Sequence, residues 1–205
     1  QGAEAGRKWT GPALAERTSS KRGPPDFSSQ VARLKAADCD FVVLGTVIRE
    51  TVGAIAEARK LQYAPTFVAA STAYSELIPK LGGKDMDGLY AVTTAQHPYL
   101  DAASAPIAAW AARYQAQFNT PPTVFSAYGY TMIELLAKGI DKAGADLSAD
   151  SFAAAMESLG DIPGDIFGNP PMRFSPTQHL GSDRSRLSQL QDGRWKVVLD
   201  YDDVK

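Results

Sequence analysis

Few side chains of this chain could carry covalent or acid–base chemistry, and they lie far apart in the sequence. Cys39 is the one cysteine, and as a nucleophile it would need a neighbouring base. It lies instead between Asp38 and Asp40 at the start of a predicted strand. The two histidines, His97 and His179, share no motif. We therefore interpret Cys39 as a structural residue and expect no catalytic residue.

The acidic residues show no metal-ligand spacing either. Asp85 with Asp87 falls in a predicted turn, and Asp202 with Asp203 near the end of the chain, where carboxylates are typically solvated. The sequence holds no P-loop, no dinucleotide-binding glycine motif, no nucleophile elbow and no His-Glu-x-x-His. We expect no metal and no cofactor, and the pattern favours a binding protein over an enzyme.

Composition sets the class of protein. A chain of 205 residues with 44% hydrophobic content can bury the core of one large or two small domains. The net charge of −2 argues against a nucleic-acid partner, and no apolar run approaches the roughly 20 residues needed to span a bilayer. The polar start, Gln1–Trp9, carries no signal peptide and is typical of the end of a helix. We therefore expect a fragment of a longer chain.

Helices and strands alternate regularly through the first half. Phe27, Val31 and Leu34 recur at helical spacing. The carboxylate of Asp26 can accept from the free N–H groups at the start of that helix. The apolar run Phe41–Leu44 predicts a strand covered on both faces. The series indicates a parallel sheet with right-handed crossovers; its predicted elements are strands at Leu14–Ser19, Phe41–Leu44, Thr66–Ser71 and Gly88–Thr94 and helices at Asp26–Asp38, Glu50–Leu61 and Tyr74–Leu81.

The pattern changes near Gln96–Tyr99, where we expect the chain to leave one lobe and enter another. Asp192-Gly193, between two alternating segments, is a strong signal for a hairpin turn. The predicted elements of this half are helices at Ala102–Phe118, Phe125–Ala143 and Ser148–Ser158, a strand near Met172–Ser175, and hairpin strands at Arg186–Gln191 and Trp195–Leu199.

Several segments, in this order, resemble the periplasmic leucine/isoleucine/valine-binding protein family, the type I solute-binding components of ABC importers. The resemblance covers nearly the whole chain. Its segments are Asp26–Lys35, Asp40–Gly45, Ala56–Leu61, Gly88–Thr93, Pro122–Leu136 and Gln191–Trp195.

The resemblance implies an α/β fold of two lobes, each a parallel sheet flanked by helices, with the ligand clamped between them. Residues 1–93 would form most of lobe two, residues 94–184 would return to lobe one, and residues 185–205 would form a closing hairpin and the third crossover. The family's N-terminal portion, most of lobe one, would be absent from this chain.

Ligands of parallel α/β sheets bind beyond the carboxyl ends of the strands, which places a candidate site at Gly45–Glu50. Amino-acid binders of the family resemble one another in an acidic residue near the position of Ser71, which pairs with the ligand's ammonium group. Without that charge a buried ammonium is costly. Val47 and Ile48 offer an apolar wall and Arg49 a guanidinium, which suit a carboxylate on an aromatic or hydrophobic body.

Further candidate ligand residues each have a structural alternative. Ser71 and Thr72 could donate hydroxyl groups to the ligand or cap the next helix, and Tyr74 could stack on a ring or belong to the core. The resemblance places His97 at a crossover, as a carboxylate partner or a hinge contact. It also places Tyr128, with Phe125, on a lobe-one helix facing the cleft; for Phe125 we favour core packing.

We therefore expect a periplasmic solute-binding protein that captures a small organic acid, or an amino-acid-like solute, and delivers it to an ABC-importer permease. We expect a monomer when the protein is intact, and no nucleic-acid partner. A ligand-sensing regulatory protein with the same clamp, and a small α/β enzyme, remain the alternatives. For Arg49 the alternative to ligand binding is a solvated ion pair with Glu50.

Overall fold

The computed structural model describes residues 14–20 and 26–203. The chain forms two compact units: unit 1 holds the described residues up to Thr93 together with Leu187–Val198, and unit 2 holds Thr94–Arg186 and the described residues from Leu199. The chain thus passes from one unit to the other three times. The helix end predicted at Gln1–Trp9 lies outside the described residues, and the assignment of the units to two ligand-binding lobes stays a prediction.

From Ser28 onward, unit 1 contains the alternating helices and strands that the sequence predicts. Strands β1 and β2 pair in parallel with Phe41 opposite Thr66, and β2 pairs in parallel with β3. The strand predicted at Leu14–Ser19 is wrong, since these residues have no regular secondary structure. The elements are α1 (Ser28–Ala36), β1 (Phe41–Leu44), α2 (Ile48–Lys60), β2 (Thr66–Ala69), α3 (Leu77–Gly82) and β3 (Tyr90–Thr93), with 3₁₀ turns at Ser71–Ala73 and Gly83–Met86.

The start of α1 combines a polar and an apolar contact. Asp26 Oδ1 accepts a hydrogen bond from the Ser28 backbone N–H at 2.9 Å, so the carboxylate serves this helix end as expected, although the backbone cap is Phe27. The Phe27 ring is buried against α2, since a Cβ atom at Gly53 would lie 2.9 Å from it. The close approach of α1 and α2 therefore requires a glycine at position 53.

Strand β1 is covered on one face alone. Val42 and Leu44 are buried, whereas Phe41 and Val43 are each 57% exposed. Successive side chains of a strand point to opposite faces of the sheet, and the described residues cover one of these faces at β1. The prediction of a strand buried on both faces is thus wrong for β1.

A hairpin completes the sheet, whose strand order is β1-β2-β3-β4-β5. Its strands are β4 (Arg186–Gln191) and β5 (Arg194–Leu199), joined as predicted by Asp192 and Gly193, which both have positive φ. The Gly88 N–H donates to the Leu190 carbonyl at 2.8 Å, next to β3. The Trp195 indole N–H donates to the Ser75 carbonyl at 2.9 Å, so the hairpin is fastened to unit 1 by a side chain as well as by strand pairing.

Unit 2 is built on three helices: α4 (Ala105–Phe118), α5 (Val124–Ala143) and α6 (Ala149–Glu157). Thr123 and Ser148 cap α5 and α6 by accepting from backbone N–H groups three residues on. The strand predicted near Met172–Ser175 is reduced to two isolated bridges. The hydrophobic core of unit 2 consists of Ala95, Ile107, Trp110, Ala111, Ala127 and Phe167.

One face of α5 is an exposed apolar stripe, which we define as Phe125, Met132, Ile133, Leu136 and Ile140. Their spacing puts them on one side of the helix, and their exposed fractions run from 37% to 64%. The core packing expected for Phe125 is not found within the described chain, because this side chain is 55% exposed. Within the described part of the chain, no helix is both long and apolar enough to cross a membrane.

Tyr63 links the loop after α2 to the start of β1. Its hydroxyl donates to the Cys39 carbonyl, and burial raises the pKa of Tyr63 to about 12 from its ordinary value of 10.0. The neutral phenol is therefore favoured in the folded protein.

We expect the free energy of unfolding to decrease as the pH rises from about 10 to about 12, because the unfolded chain releases the Tyr63 proton first. Tyr63→Phe should make this decrease smaller. Urea unfolding of both proteins at several alkaline pH values measures the two pH dependences. The difference in free energy of unfolding at pH 7 gives the contribution of the lost hydrogen bond, which is then subtracted. An identical pH dependence in the two proteins would contradict the prediction.

Candidate functional site

The carboxyl ends of β1 and β2 meet at one edge of the unit 1 sheet, because the two strands run in parallel. The Ala70 N–H donates to the Leu44 carbonyl at 3.0 Å. Beyond it, Thr72 Oγ1 donates to the Thr46 carbonyl at 2.9 Å. The loop after β1 and the 3₁₀ turn after β2 are therefore joined by both backbone and side chain, and we call this region, residues 45–50 and 70–74, the ligand edge.

Two threonines fix the loop after β1 to the helix that follows. Thr46 Oγ1 and Thr51 Oγ1 lie 2.7 Å apart, and Thr51 is fully buried. Gly45, by contrast, has open space where a Cβ atom would stand. The loop is thus held in place at Thr46 and open at Gly45. Sequence reasoning missed Thr46 and Thr51, since a hydroxyl pair five residues apart across a helix start has no recognisable pattern.

Arg49 lies in the first turn of α2 and is exposed. No ion pair or hydrogen bond of its guanidinium occurs within the described residues, so the alternative of a surface ion pair with Glu50 is not formed. A cation near a helix N-terminus is opposed by the helix dipole. Arg49 therefore contributes nothing favourable to α2 electrostatically, and its charge is available to an external anion.

Glu50 is the second charge of the ligand edge, and sequence reasoning treated it only as a partner for Arg49. It is 9% exposed, and its Oε2 atom is buried without a hydrogen-bond partner among the described residues. An acidic residue in the first turn is favoured by the helix dipole. The helix dipole explains why an acidic residue is favoured at position 50. It does not provide a hydrogen-bond donor for the Oε2 atom of Glu50.

The residues that follow β2 divide into exposed and buried ones. Ser71 and Thr72 are exposed, as ligand-facing hydroxyls require. Tyr74 is 1% exposed, and its ring packs on Trp195 with ring centroids 5.0 Å apart. This burial favours core packing over ligand stacking for Tyr74. On the apolar wall, Val47 is 38% exposed and Ile48 is half-buried.

The two remaining candidate ligand residues belong to unit 2. His97 is 7% exposed and stacks on Tyr99 with ring centroids 4.2 Å apart. Tyr128 is half-buried against the core of unit 2, and its ring meets Phe125 edge-on. Their predicted roles as ligand contacts stay predictions. No cluster of three potential metal ligands occurs in the part of the chain that the structure describes.

Comparison with known proteins points to one family. A family model described as periplasmic binding protein matches residues 2–194. No curated protein matches the chain. Three solved structures have similar folds: the leucine-binding protein LivK of Thermotoga maritima (19% identity, TM-score 0.75), a branched-chain amino acid ABC transporter protein of Thermus thermophilus with bound valine (14%, 0.80) and a fatty acid ABC transporter substrate-binding protein of Thermomonospora curvata (18%, 0.72).

These alignments cover 92%, 97% and 85% of this chain but only 53%, 55% and 46% of the solved chains, in the same order. The chain therefore spans about half the length of the structures it resembles. At these identities the likeness shows the fold alone, and it is the type I periplasmic-binding-protein fold that the sequence predicts. Since the family model matches nearly the whole sequence, this chain belongs to the periplasmic binding protein family.

Proposed function

We propose that this chain is the C-terminal part of an ABC-importer solute-binding protein, which captures a small organic acid by closing two lobes around it. The observation that carries the proposal is Arg49, an exposed cation at the ligand edge that has no partner among the described residues. A guanidinium can bind a carboxylate through two parallel hydrogen bonds. Val47 and Ile48 beside it would contact the apolar body of such a ligand.

Ser71 refines the ligand class. In place of the acidic residue of amino-acid binders it offers a neutral hydroxyl, together with the neighbouring Thr72. An aromatic or hydrophobic carboxylate has no ammonium group and therefore needs no acidic partner. A ligand of this class fits the neutral hydroxyl groups of Ser71 and Thr72. The relative from Thermomonospora curvata, described as a fatty acid transporter protein, supports a ligand of this class.

Glu50 favours a second candidate, an amino-acid-like solute. Its buried Oε2 atom has an unused acceptor site, and a ligand ammonium group could donate to it. The relatives described as leucine-binding and as carrying bound valine support this class. The two candidates differ in one measurable respect: only the second requires a cationic group on the ligand.

Capture would follow from a shift in population. A ligand that contacts both lobes favours the closed state over the open one, and no bond is made or broken. The family implies a periplasmic location and a permease as partner, and we propose a monomer for the intact protein. A sensor protein with the same clamp would carry an effector segment, and turnover of a bound acid would instead indicate an enzyme.

We expect Arg49→Gln to weaken binding of carboxylate ligands by about 10- to 100-fold, because charge-assisted hydrogen bonds contribute roughly 1.5–3 kcal/mol. Isothermal titration with benzoate, octanoate and leucine measures the loss and also separates the two ligand classes. Arg59→Gln, at the other end of the same helix, is the matched control and should bind normally. Equal affinity of Arg49→Gln and the parent protein for every binding acid would refute the role of Arg49.

We also propose that chain outside this sequence covers the apolar stripe of α5. The stripe is a continuous exposed face, and the solved relatives contain nearly as much chain again. Exposed apolar faces of this kind typically mark an interface. In the family's two-lobe arrangement the covering segment would belong to lobe one.

Ile133→Glu tests this proposal by placing a charge in the stripe. In the present chain the free energy of unfolding should change by less than about 0.5 kcal/mol, because Ile133 is exposed. In a longer chain that contains lobe one, the buried charge should destabilise by more than about 2 kcal/mol. Lys138→Glu, on the opposite side of α5, should be neutral in both. The proposal is wrong if Ile133→Glu is also neutral in the longer chain.

A further inference from the structure

Unit 1 contains a cavity of about 350 Å³ at the edge of its sheet opposite the ligand edge. The cavity lies where β2 and β3 begin, and its walls come from the second half of α2, the loop before β2 and the 3₁₀ turn Gly83–Met86. All of its lining residues belong to unit 1. We call it the amino-edge cavity.

The amino-edge cavity is separate from the ligand edge, although α2 reaches both. Arg49 lies in the first turn of α2, whereas Ile55 and Arg59, further along the same helix, line the cavity. An α-helix rises about 15 Å over the stretch from Arg49 to Arg59. A small molecule in the cavity therefore cannot contact Arg49.

The floor of the cavity is apolar. It is formed by Ile55, Phe67, Met86 and Leu89, each of which is at most 4% exposed. Met86 is packed closely on the end of α3, since a Cβ atom at Gly82 would lie 2.5 Å from the Met86 Cγ atom. A methionine sulfur makes favourable contacts with aromatic rings. The floor therefore suits the ring of an aromatic ligand.

Two hydroxyl groups at the cavity are available for hydrogen bonding. Thr66 is the first residue of β2 and Tyr90 the first residue of β3, and both line the cavity. Neither side-chain hydroxyl makes a hydrogen bond within the described residues. Small-molecule sites typically combine an apolar lining with a few polar groups that orient the ligand. Thr66 and Tyr90 provide such groups.

The charges at the cavity balance. Arg59 and Asp85 both line it, and their side chains form no ion pair with each other. The Arg59 Nε atom donates instead to the Asp85 backbone carbonyl at 3.4 Å. An anionic ligand would be attracted by the guanidinium and repelled by the carboxylate, and it would lose hydration on entering the cavity. The cavity therefore favours an uncharged ligand.

We propose that the amino-edge cavity is a second ligand site, which takes a small uncharged aromatic molecule with one hydrogen-bonding group, such as an aromatic amide. The ring would lie on the apolar floor, and the polar group would bond to Thr66 and Tyr90. Ligand pockets range from roughly 300 to 1,000 Å³, so this cavity suits a molecule of about one ring. The site is independent of the proposed function, because it shares no residue with the ligand edge.

NMR titration of the present chain with benzamide tests the proposal. Benzamide should shift the backbone amide signals of Gly88 and Tyr90 and leave those of Gly45 and Arg49 unchanged. Benzoate has nearly the same shape but carries a negative charge, which makes it the matched control ligand. Benzoate should leave the signals of Gly88 and Tyr90 unchanged.

Two variants locate the binding. Ala64 lines the cavity and is exposed, so the indole of Ala64→Trp would occupy the space of the ligand and weaken benzamide binding by at least about tenfold. Ala36→Trp makes the same substitution at an exposed alanine at the end of α1 and should bind normally. Tyr90→Phe should weaken binding by roughly 3- to 10-fold, because one hydrogen bond is lost.

Absence of benzamide shifts at Gly88 and Tyr90, or equal binding by Ala64→Trp and Ala36→Trp, would overturn the second site. Shifts of the same signals by benzoate, as large as those caused by benzamide, would overturn the assignment to an uncharged ligand. Should Ala64→Trp fail to fold, Tyr90→Phe decides, and an unchanged affinity of that variant would count against the site. Benzoate shifts at the ligand edge report on the proposed function alone.

Discussion

Parallel pairing of β1 and β2 is the constraint on which the ligand edge depends. Two neighbouring parallel strands must finish at the same edge of the sheet, and the helix between them returns the chain to the opposite edge. The bond from the Ala70 N–H to the Leu44 carbonyl fixes this alignment. The Thr72 hydroxyl can reach the Thr46 carbonyl because β1 and β2 end at paired residues, Leu44 opposite Ala69. Without that register the exposed groups of two distant segments would not form one surface.

The start of α2 places two opposite charges in successive positions with different surroundings. Arg49 points its charge to solvent against the preference of the helix dipole, whereas Glu50 is buried in agreement with it. Neighbouring residues on a helix project about 100° apart, so a surface boundary can run between them. A single helical turn thereby offers an external cation and an internal carboxylate.

Local patterns predicted most of the helices and strands, and they failed where the burial of a side chain depends on residues distant in the sequence. Asp192-Gly193 specified its hairpin because the turn conformation is a property of two residues. The apolar run Phe41–Leu44 predicts burial of Phe41 and Val43 as well, but these side chains are exposed. An apolar run does not show how many faces of its strand are covered. The burial of Tyr74 depends on Trp195, and the partner of Arg186 is Asp200 across a hairpin. Such pairs carry no periodic signal, so most of the site's detail required the fold.

Cys39 precedes β1, whereas the ligand edge follows it, so the one thiol of the chain lies at the other end of that strand. It is half-buried, and burial raises the pKa of its thiol. Alkylating reagents should therefore modify it slowly at neutral pH, since the thiolate is the reactive form. A fluorophore attached there would occupy a single defined position in every molecule. The protein thus carries a built-in attachment point for an optical sensor, remote from the groups that would meet a solute.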